Sequence, residues 1–242
     1  MPRDHVEILD PMELAWSEAD LPGFPEQTVQ KTLSVDEETG ASTRLLSLPA
    51  GSNATPAASA AGAEAFVVSG GLRLDDSQLG EYDYAHVPAG AAASWETTER
   101  CRLLYMPDCD PVLGKETDAS PSITDVAAMD WEQPQTDSFP DGAARKSLRH
   151  DPETGWTTWL LGVLPGWNET RIEVHPVAEQ AYQVQGSMSS EKGRFSAGKY
   201  FWRPPDIPHG PFGTDVGCLT FFRVDGEFEV EYVRDTADTE AV

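Results

Sequence analysis

The segment Asp36-Glu-Glu-Thr-Gly40 recurs as Asp151-Pro-Glu-Thr-Gly155, 115 residues further along the chain. The same offset relates other positions on both sides of this segment. Ile8, Asp10, Trp16, Phe24, Pro25, Lys31 and Leu33 return as Ile123, Asp125, Trp131, Phe139, Pro140, Lys146 and Leu148. Because repetition at a fixed period decides the architecture, the sequence predicts an internal duplication.

Length and local pattern predict the class of the two copies. The chain has 242 residues, enough for two domains of about a hundred residues each. Short apolar runs such as Ser42–Leu48 and Cys218–Val224 are separated by clusters of Gly, Pro, Asn and Asp. This pattern is typical of many short antiparallel strands. We therefore predict an all-β protein with two small barrels, residues 1–115 and residues 116–242.

The charge of the chain restricts its partners. It carries 41 acidic and 17 basic residues, a formal net charge of −24. Repulsion of this size argues against nucleic acid or an anionic membrane as a partner. An acidic, solvated surface is typical of a halophilic protein, in which concentrated counter-ions screen the self-repulsion.

The expected location is the cytoplasm. No run approaches the roughly 20 apolar residues that cross a bilayer, and the first residues, Met1–Glu7, lack the apolar run of a secretory signal. Cys101, Cys109 and Cys218 are an odd number of cysteines without C-x-x-C spacing. They indicate neither a disulfide framework nor a cysteine zinc site, and we expect free thiols.

Two segments of the second copy carry metal-type ligands. Residues i and i+2 of a strand point to the same face, so Glu173 and His175 are predicted to project together. Pro176 favours a chain reversal that returns Glu179 toward the same space. A proline-rich turn then delivers His209 from a distant part of the barrel. Such imidazoles and carboxylates suit one divalent ion of iron, manganese, nickel or zinc.

The role of Glu173 has two interpretations. Glu173 is either a direct ligand or a residue that orients His175 or a bound water. The predicted metal set is therefore Glu173, His175, Glu179 and His209, with direct coordination by Glu173 left open.

The spacing of these residues resembles the two motifs of the cupin superfamily. Residues 166–186 are similar to the first motif, in which two histidines one residue apart precede a glutamate and a glycine, although Glu173 stands in place of the first histidine. Residues 198–209 are similar to the second motif, which leads through a glycine and a proline to one further histidine. The run Trp202–Pro211 looks particularly like the cupin domain of ChrR-type anti-sigma factors. The resemblance implies two tandem cupin barrels of the jelly-roll type, a bicupin.

The first copy lacks these ligands. Ala58, Ala60 and Glu64 align with Glu173, His175 and Glu179, and Ala93 falls where His209 would lie. A lone carboxylate does not hold a cation, so we predict a degenerate N-terminal barrel without a metal site. Glu64 is interpreted as a solvated or hydrogen-bonded residue at the start of a strand.

Two further residues are candidates for contact with a small molecule. Strand alternation from Glu179 places Gln183 inward, so Gln183 is a candidate polar contact. Arg171 lies two residues before Glu173 and is a candidate for an anionic substrate, with a salt bridge as the alternative.

The resemblance implies two functions from different classes. The first is a mononuclear non-heme dioxygenase, most simply an iron enzyme, that acts on a small oxygenated organic molecule. The second is a non-catalytic metal-binding sensor of the ChrR-like type, and a storage-type bicupin without chemistry is a third possibility. A homodimer is expected, since cupins often pair through sheet edges.

Overall fold

The computed structural model describes residues 3–21, 24–55, 61–107, 120–134, 139 and 141–233. In this part of the chain the secondary structure is 22 β-strands and one short 3₁₀ helix, Pro11–Glu13, without an α-helix. The predicted all-β class is confirmed. No helix among these residues has the length and apolar character needed to cross a membrane.

The chain forms two compact units. The first comprises Met1–Asp4 and Asp10–Asp130, and the second comprises His5–Leu9 and Trp131–Val242. The boundary predicted between residues 115 and 116 lies outside the described residues, as do Ala58, Ala60 and Cys109. The observed division falls later in the chain because strand Ser122–Thr124 pairs within the first unit, against Tyr84–Val87.

The strands are short and are connected mainly by turns that contain glycine. In chain order they are β1 (Val6–Leu9), β2 (Ser17–Glu18), β3 (Val29–Val35), β4 (Ser42–Leu48), β5 (Asn53–Ala54), β6 (Ala63–Ser69), β7 (Leu72–Leu74), β8 (Ser77–Leu79), β9 (Tyr84–Val87), β10 (Trp95–Glu96), β11 (Cys101–Pro107), β12 (Ser122–Thr124), β13 (Ala143–His150), β14 (Thr157–Val163), β15 (Asn168–Glu169), β16 (Glu173–Val174), β17 (Glu179–Ser190), β18 (Gly193–Ser196), β19 (Tyr200–Arg203), β20 (Phe212–Gly213), β21 (Cys218–Val224) and β22 (Glu231–Tyr232).

Each unit is built from antiparallel sheets. The first unit has a sheet of order β12-β9-β6-β11-β4-β3-β2 and a smaller sheet of order β5-β10-β7-β8. In the second unit the corresponding order is β1-β19-β17-β21-β14-β13, and the long strand β17 continues beyond this sheet to pair with β18 and β20. Strand β1 lies in the segment His5–Leu9, which belongs to the second unit, and pairs with β19, with Val6 opposite Trp202.

The strands of the two units follow the repeat seen in the sequence. Strands β4 and β14 are related by 115 residues, as are β5 and β15, and the later pair β11 and β21 by 117 residues. The repeated Asp-x-x-Thr-Gly segment forms the same turn in both units. The amide of Gly40 donates to the carbonyl of Asp36 at 2.8 Å, and Gly155 donates to Asp151 at 2.8 Å.

A lysine–tryptophan contact is also repeated. The buried Lys31 places its Nζ 4.7 Å from the centre of the Trp16 ring, and the buried Lys146 lies 4.9 Å from that of Trp131. A buried ammonium needs compensation, which the face of an indole ring supplies. The same contact is therefore present in each unit at positions 115 residues apart.

An aromatic cluster fills the centre of the first unit. The ring of Phe24 lies 5.2 Å from that of Tyr105 and 6.1 Å from that of Trp95, in tilted and edge-on arrangements. Buried side chains of β4, β6 and β11 surround this cluster. Such a core stabilises the unit by burial and packing of apolar area.

Candidate metal centre

Two segments meet at the end of β16 in the second unit. Glu173 and His209 form a two-residue antiparallel bridge, in which each backbone amide donates to the other's carbonyl at 2.9 Å. The amide of Asp206 donates to the carbonyl of His175 at 2.8 Å. These backbone bonds hold residues 173–175 against residues 206–209. Backbone hydrogen bonds therefore hold the two sequence motifs directly against each other.

Both imidazoles of the site are buried and oriented by backbone carbonyls. His175 is 3% exposed and its Nδ1 lies 2.9 Å from the carbonyl oxygen of Glu229. His209 is 4% exposed and its Nδ1 lies 2.7 Å from the carbonyl oxygen of Ile207. A carbonyl only accepts, so each Nδ1 carries the proton and each Nε2 presents a lone pair.

The two Nε2 atoms have no hydrogen-bond partner although both are buried. Their rings are 5.0 Å apart. The Oε1 atom of Glu173 lies 3.9 Å from Nε2 of His175 and 3.5 Å from Nε2 of His209. Buried polar atoms without partners are rare and costly. Here two of them and a carboxylate surround one small volume, with ligand atoms all within 4.8 Å of one another.

This donor set fits a divalent transition metal. Nitrogen and oxygen ligands at about 2.0–2.2 Å from one ion lie about 3–4 Å from each other. The separations of Glu173 from the two imidazoles are in this range. Burial alone would lower the pKa of His209, but the nearby carboxylates of Glu173 and Glu179 raise the pKa above its ordinary value. The electrostatic potential around His209 therefore favours a positively charged group.

Glu179 lies beside these three residues and is held by an arginine. Its Oε2 atom is 3.7 Å from Nε2 of His209 and 3.2 Å from Nη1 of Arg203. Arg203 also places Nη2 at 2.8 Å from Oε1 of Glu7, which β1 contributes. The predicted four-residue set is thus divided in this structure. Glu173, His175 and His209 form one cluster, and Glu179, the fourth residue of the set, forms a buried ion pair at its edge.

Gln183 is a structural residue of the sheet in this geometry. It is fully buried, and its Nε2 donates to the carbonyls of Gln185 and Leu219 at 2.7 and 3.2 Å. Its Oε1 accepts from the hydroxyl of Thr220 at 3.1 Å. Its side chain is buried in the sheet and is not among the residues that line the cavity. The amide bonds to the sheet because β17 has a register irregularity between Gln183 and Gln185 that leaves carbonyls to be satisfied.

Arg171 forms the salt bridge that was the alternative to a substrate contact. Its Nε and Nη2 atoms donate to Glu169 at 2.8 and 2.6 Å. Its guanidinium carbon also lies 3.7 Å from the centre of the Tyr232 ring. A guanidinium that makes a bidentate ion pair with a carboxylate and also stacks on an aromatic ring has few donors left for a ligand. The arginine therefore supports the wall of the site.

A cavity of about 130 Å³ opens next to the cluster. Glu173, Glu179 and His209 form its polar end. The rest of the wall is mainly aromatic and includes Phe139, Trp159, Trp167, Phe195, Phe201, Phe212, Phe222, Phe228 and Tyr232. A largely apolar hollow with a few convergent polar groups is the usual form of a small-molecule site.

Three positions of this wall have counterparts in the first unit. Phe139, Phe212 and Phe222 occupy the strand and loop positions of Phe24, Trp95 and Tyr105, the aromatic cluster that fills the first unit. The same framework thus encloses a packed core in one unit and a cavity in the other.

The wall of the cavity also includes three residues that were not predicted from the sequence, Glu7, Ile8 and Arg203. The match of Ile8 with Ile123 was the available signal, since both residues lie in strands, β1 and β12, that join the same edge position of a sheet. Arg203 lies two residues from Phe201 on β19, and therefore on the same face.

The glycine predicted to end the first motif has a structural reason. Gly186 adopts a φ of +68°, and a Cβ atom there would lie 2.1 Å from the carbonyl oxygen of Gly217. Only glycine allows this approach of β17 to the start of β21. The bend lets one long strand belong to both sheets around the cavity.

Comparison with known proteins places the chain in a fold and a family. Of the solved structures, a candidate dioxygenase from Nostoc punctiforme is 23% identical, with 97% of this chain and 92% of that chain covered and a TM-score of 0.83. A cupin 2 conserved barrel domain protein from Leptotrichia buccalis is 12% identical, with 92% and 97% covered and a TM-score of 0.61. An oxalate decarboxylase variant from Bacillus subtilis is 13% identical, with 90% and 78% covered and a TM-score of 0.59.

These similarities show that the fold is of the cupin class. No curated protein matches the chain. A family model described as a domain of unknown function, DUF4437, matches residues 7–231. Since this match spans most of the sequence, the chain belongs to the DUF4437 family.

Proposed function

We propose that the second unit contains a mononuclear metal centre in which Glu173, His175 and His209 hold one divalent ion. The observation that carries the proposal is the pair of buried Nε2 atoms without partners that face one carboxylate. Two imidazoles and one carboxylate are the donor set of many non-heme iron oxygenases, and manganese, nickel and zinc accept the same ligands. Glu179, 3.7 Å from Nε2 of His209, is the adjacent candidate for a fourth ligand.

The proposed activity is a dioxygenase acting on a small oxygenated organic molecule. A bound ferrous ion would supply Lewis acidity and electrons for the reaction with dioxygen. When both oxygen atoms of dioxygen enter the products of one organic substrate, that substrate supplies the electrons and no external reductant is required. The fold likeness to a candidate dioxygenase supports this proposal only at the level of architecture, because one fold hosts many reactions.

The residues around the cluster have distinct roles in this proposal. The carbonyls of Glu229 and Ile207 fix the tautomers of the two imidazoles, which keeps each Nε2 available. The aromatic wall excludes water and strengthens electrostatic interactions inside the cavity. Oε2 of Glu179, held by Arg203, faces the cavity and is placed to accept a proton from a bound substrate.

The alternative function is a metal-binding sensor of the ChrR-like type. Its support is the position of Glu179, which would give a four-ligand site saturated by protein if its carboxylate turned toward His209. The cavity beside the cluster favours the enzyme, because a saturated structural site has no need of an adjoining space for a ligand. In both proposals the chain is a bicupin with one metal site, and its first unit is a degenerate copy.

Elemental analysis of purified protein tests the metal centre directly. We expect about one equivalent of a transition metal in the native protein and almost none in His175→Ala or His209→Ala. His150→Ala is the matched control, because His150 is exposed and its Nδ1 lies 3.0 Å from the hydroxyl of Thr157. Unchanged metal content in both site variants would refute the centre.

Oxygen uptake tests the reaction. The iron-loaded protein is assayed with a panel of β-dicarbonyl and hydroxyketone compounds, and ¹⁸O₂ is used to follow label into the products. Incorporation of two labelled atoms supports a dioxygenase. A loaded protein that consumes no oxygen with any compound, and whose ion exchanges with no water ligand, would support the sensor.

The predictions of a cytoplasmic location and of a homodimer stay predictions. Size-exclusion chromatography with light scattering measures the second, with a mass of about twice 26.4 kDa expected for a dimer.

A further inference from the structure

The balance of charges around the cavity in the second unit restricts what the cavity binds. Apart from Tyr232, whose phenol has a pKa raised by burial and is uncharged near neutral pH, the ionisable groups of its described lining are Glu7, Glu169, Glu173, Glu179, Arg203 and His209. Glu169 is neutralised by Arg171 through contacts of 2.8 and 2.6 Å. Among the described residues of the wall this leaves three carboxylates and one guanidinium, a formal charge of −2. A divalent ion would bring the site to neutrality, provided that both imidazoles are neutral.

The guanidinium of Arg203 does not offer a free pair of N–H donors to a carboxylate ligand. Its Nη1 donates to Glu179 at 3.2 Å, and its Nε and Nη2 donate to Glu7 at 3.1 and 2.8 Å. The guanidinium also lies over the ring of Phe201, with 3.8 Å between its carbon and the ring centre. A bidentate interaction with a ligand carboxylate would require these contacts to break.

The size and lining of the cavity indicate the rest of the ligand. An engineered apolar cavity of about 150 Å³ binds benzene, and the cavity here measures about 130 Å³. Phe195, Phe201 and Phe222 line it, with ring centres 5.2 Å apart for the first pair and 6.2 Å apart for Phe201 and Phe222. Aromatic rings at such separations pack well against another ring.

We propose that the metal-loaded cavity takes an uncharged, ring-sized organic molecule with an oxygen donor, and discriminates against carboxylates. This inference rests on the proposed metal centre and adds the class of its ligand. The formal net charge of −24 acts in the same direction, because it lowers the concentration of anions near the surface.

Three probes of nearly equal size test the proposal: benzyl alcohol, benzoate and benzylamine. Their affinities are measured by isothermal titration calorimetry for metal-free and Mn²⁺-loaded protein, after a titration with Mn²⁺ alone. For the loaded protein we expect benzyl alcohol to bind at least about tenfold more tightly than either charged probe. Benzoate binding as tightly as benzyl alcohol, or no binding of any probe, would overturn the proposal.

The metal-free protein separates this inference from the metal centre. With a formal charge of −2 the empty cavity should prefer benzylamine, and Mn²⁺ should move the preference to benzyl alcohol. If Mn²⁺ does not bind, the proposed function fails, while a preference for benzylamine still supports the charge balance. Equal binding of the three probes to the metal-free protein would refute the proposed charge balance of the cavity.

Glu7→Gln provides a charge variant outside the proposed ligands. Removing one carboxylate from the wall leaves the loaded site with an excess positive charge, and the hydrogen bonds from Nε and Nη2 of Arg203 to Oε1 of residue 7 lose their charge-assisted strength. We expect the affinity for benzoate to rise at least about tenfold relative to that for benzyl alcohol. Glu191→Gln, which changes an exposed carboxylate 3.3 Å from Lys192, is the matched control. An equal response of the two variants would contradict the role of the wall charges.

Discussion

Glu173 and His209 are joined twice. Their backbones exchange two hydrogen bonds of 2.9 Å, and the carboxylate Oε1 of one lies 3.5 Å from the imidazole Nε2 of the other. The backbone bridge fixes the distance between the two chain segments independently of the side chains. A substitution of the carboxylate can therefore change metal binding without disturbing the framework.

Glu173→Gln is expected to lower the affinity for a divalent ion by at least about tenfold, because an amide replaces an anionic donor of the same size. Titration with Mn²⁺ or Zn²⁺ measures the change. Glu229→Gln is the control, since it alters an exposed side chain and keeps the carbonyl that accepts from His175. Equal affinities of the two variants would show that Glu173 is not a ligand.

Arg203→Met is expected to destabilise the metal-free protein by about 3 kcal/mol or more. Removing one partner of a buried ion pair leaves a buried charge uncompensated, and the side chains of Arg203 and Glu179 are only 7% and 6% exposed. The double variant Arg203→Met/Glu179→Gln should recover part of this loss. Urea denaturation measures the free energy of unfolding, with the exposed Arg194→Met as control. A loss below about 0.5 kcal/mol would mean that the pair contributes little.

The repeated turn offers a matched pair of glycine substitutions. Gly40 and Gly155 have φ values of +80° and +76°, so an alanine at either position costs about 1–2 kcal/mol of backbone strain. Gly40 has open space around it, whereas a Cβ at Gly155 would lie 2.5 Å from the amide nitrogen of Glu227. Gly155→Ala should therefore cost about 1–3 kcal/mol more than Gly40→Ala. Equal losses in urea denaturation would contradict the close approach.

The salt bridge between Glu169 and Arg171 predicts part of the loss of folding stability at acid pH. A hydrogen bond from Arg171 is the main cause that holds the pKa of Glu169 below its ordinary value of 4.5. A carboxyl group with a lowered pKa in the folded state stabilises the protein above its unfolded pKa, and this contribution is lost as the pH falls through the folded pKa. Glu169→Gln should therefore show a smaller loss of melting temperature than the native protein as the pH is lowered below about 4.5. A parallel decline of both proteins, followed by circular dichroism, would refute the assignment.

Salt should stabilise the native protein. With a formal net charge of −24 the folded state repels itself, and counter-ions screen this repulsion within about 10 Å at 0.1 M salt. We expect the melting temperature to rise steadily from low to molar KCl, more than in sucrose of equal osmolality. A melting temperature that is indifferent to KCl would argue against a halophilic origin of the acidic surface.

Some tertiary features were predictable because they follow from regular spacing in the sequence. The 115-residue offset predicted strands that the structure places at the same offset, β4 with β14 and β5 with β15. The positions of His175 and His209 predicted that two segments would meet, and their rings are 5.0 Å apart. The glycine at 186 was part of the same pattern. Each of these features follows from the repeat, from the alternation of residues along a strand, or from a close approach of two backbones.

Other features were not predictable because they depend on partners far away in the chain. Glu179 was expected at the metal, but Arg203 on the neighbouring strand lies 3.2 Å from it. Arg203 in turn bonds Glu7, 196 residues away, because β1 joins the sheet of the second unit. The match of Ile8 with Ile123 indicates the position of β1, but no spacing rule predicts the side-chain contact of Arg203 with Glu7.

The sequence by itself determined the 115-residue repeat, the all-β class and the half of the chain that carries His175 and His209, because periodicity and strand alternation are properties of the chain. Only the tertiary structure decided which carboxylate faces the imidazoles, which one is held by Arg203, and that Phe139, Phe212 and Phe222 line a cavity while their counterparts Phe24, Trp95 and Tyr105 pack together. The physical reason is that packing and charge pairing depend on the whole set of neighbours that folding brings together, and the repeated segments meet different neighbours in the two units.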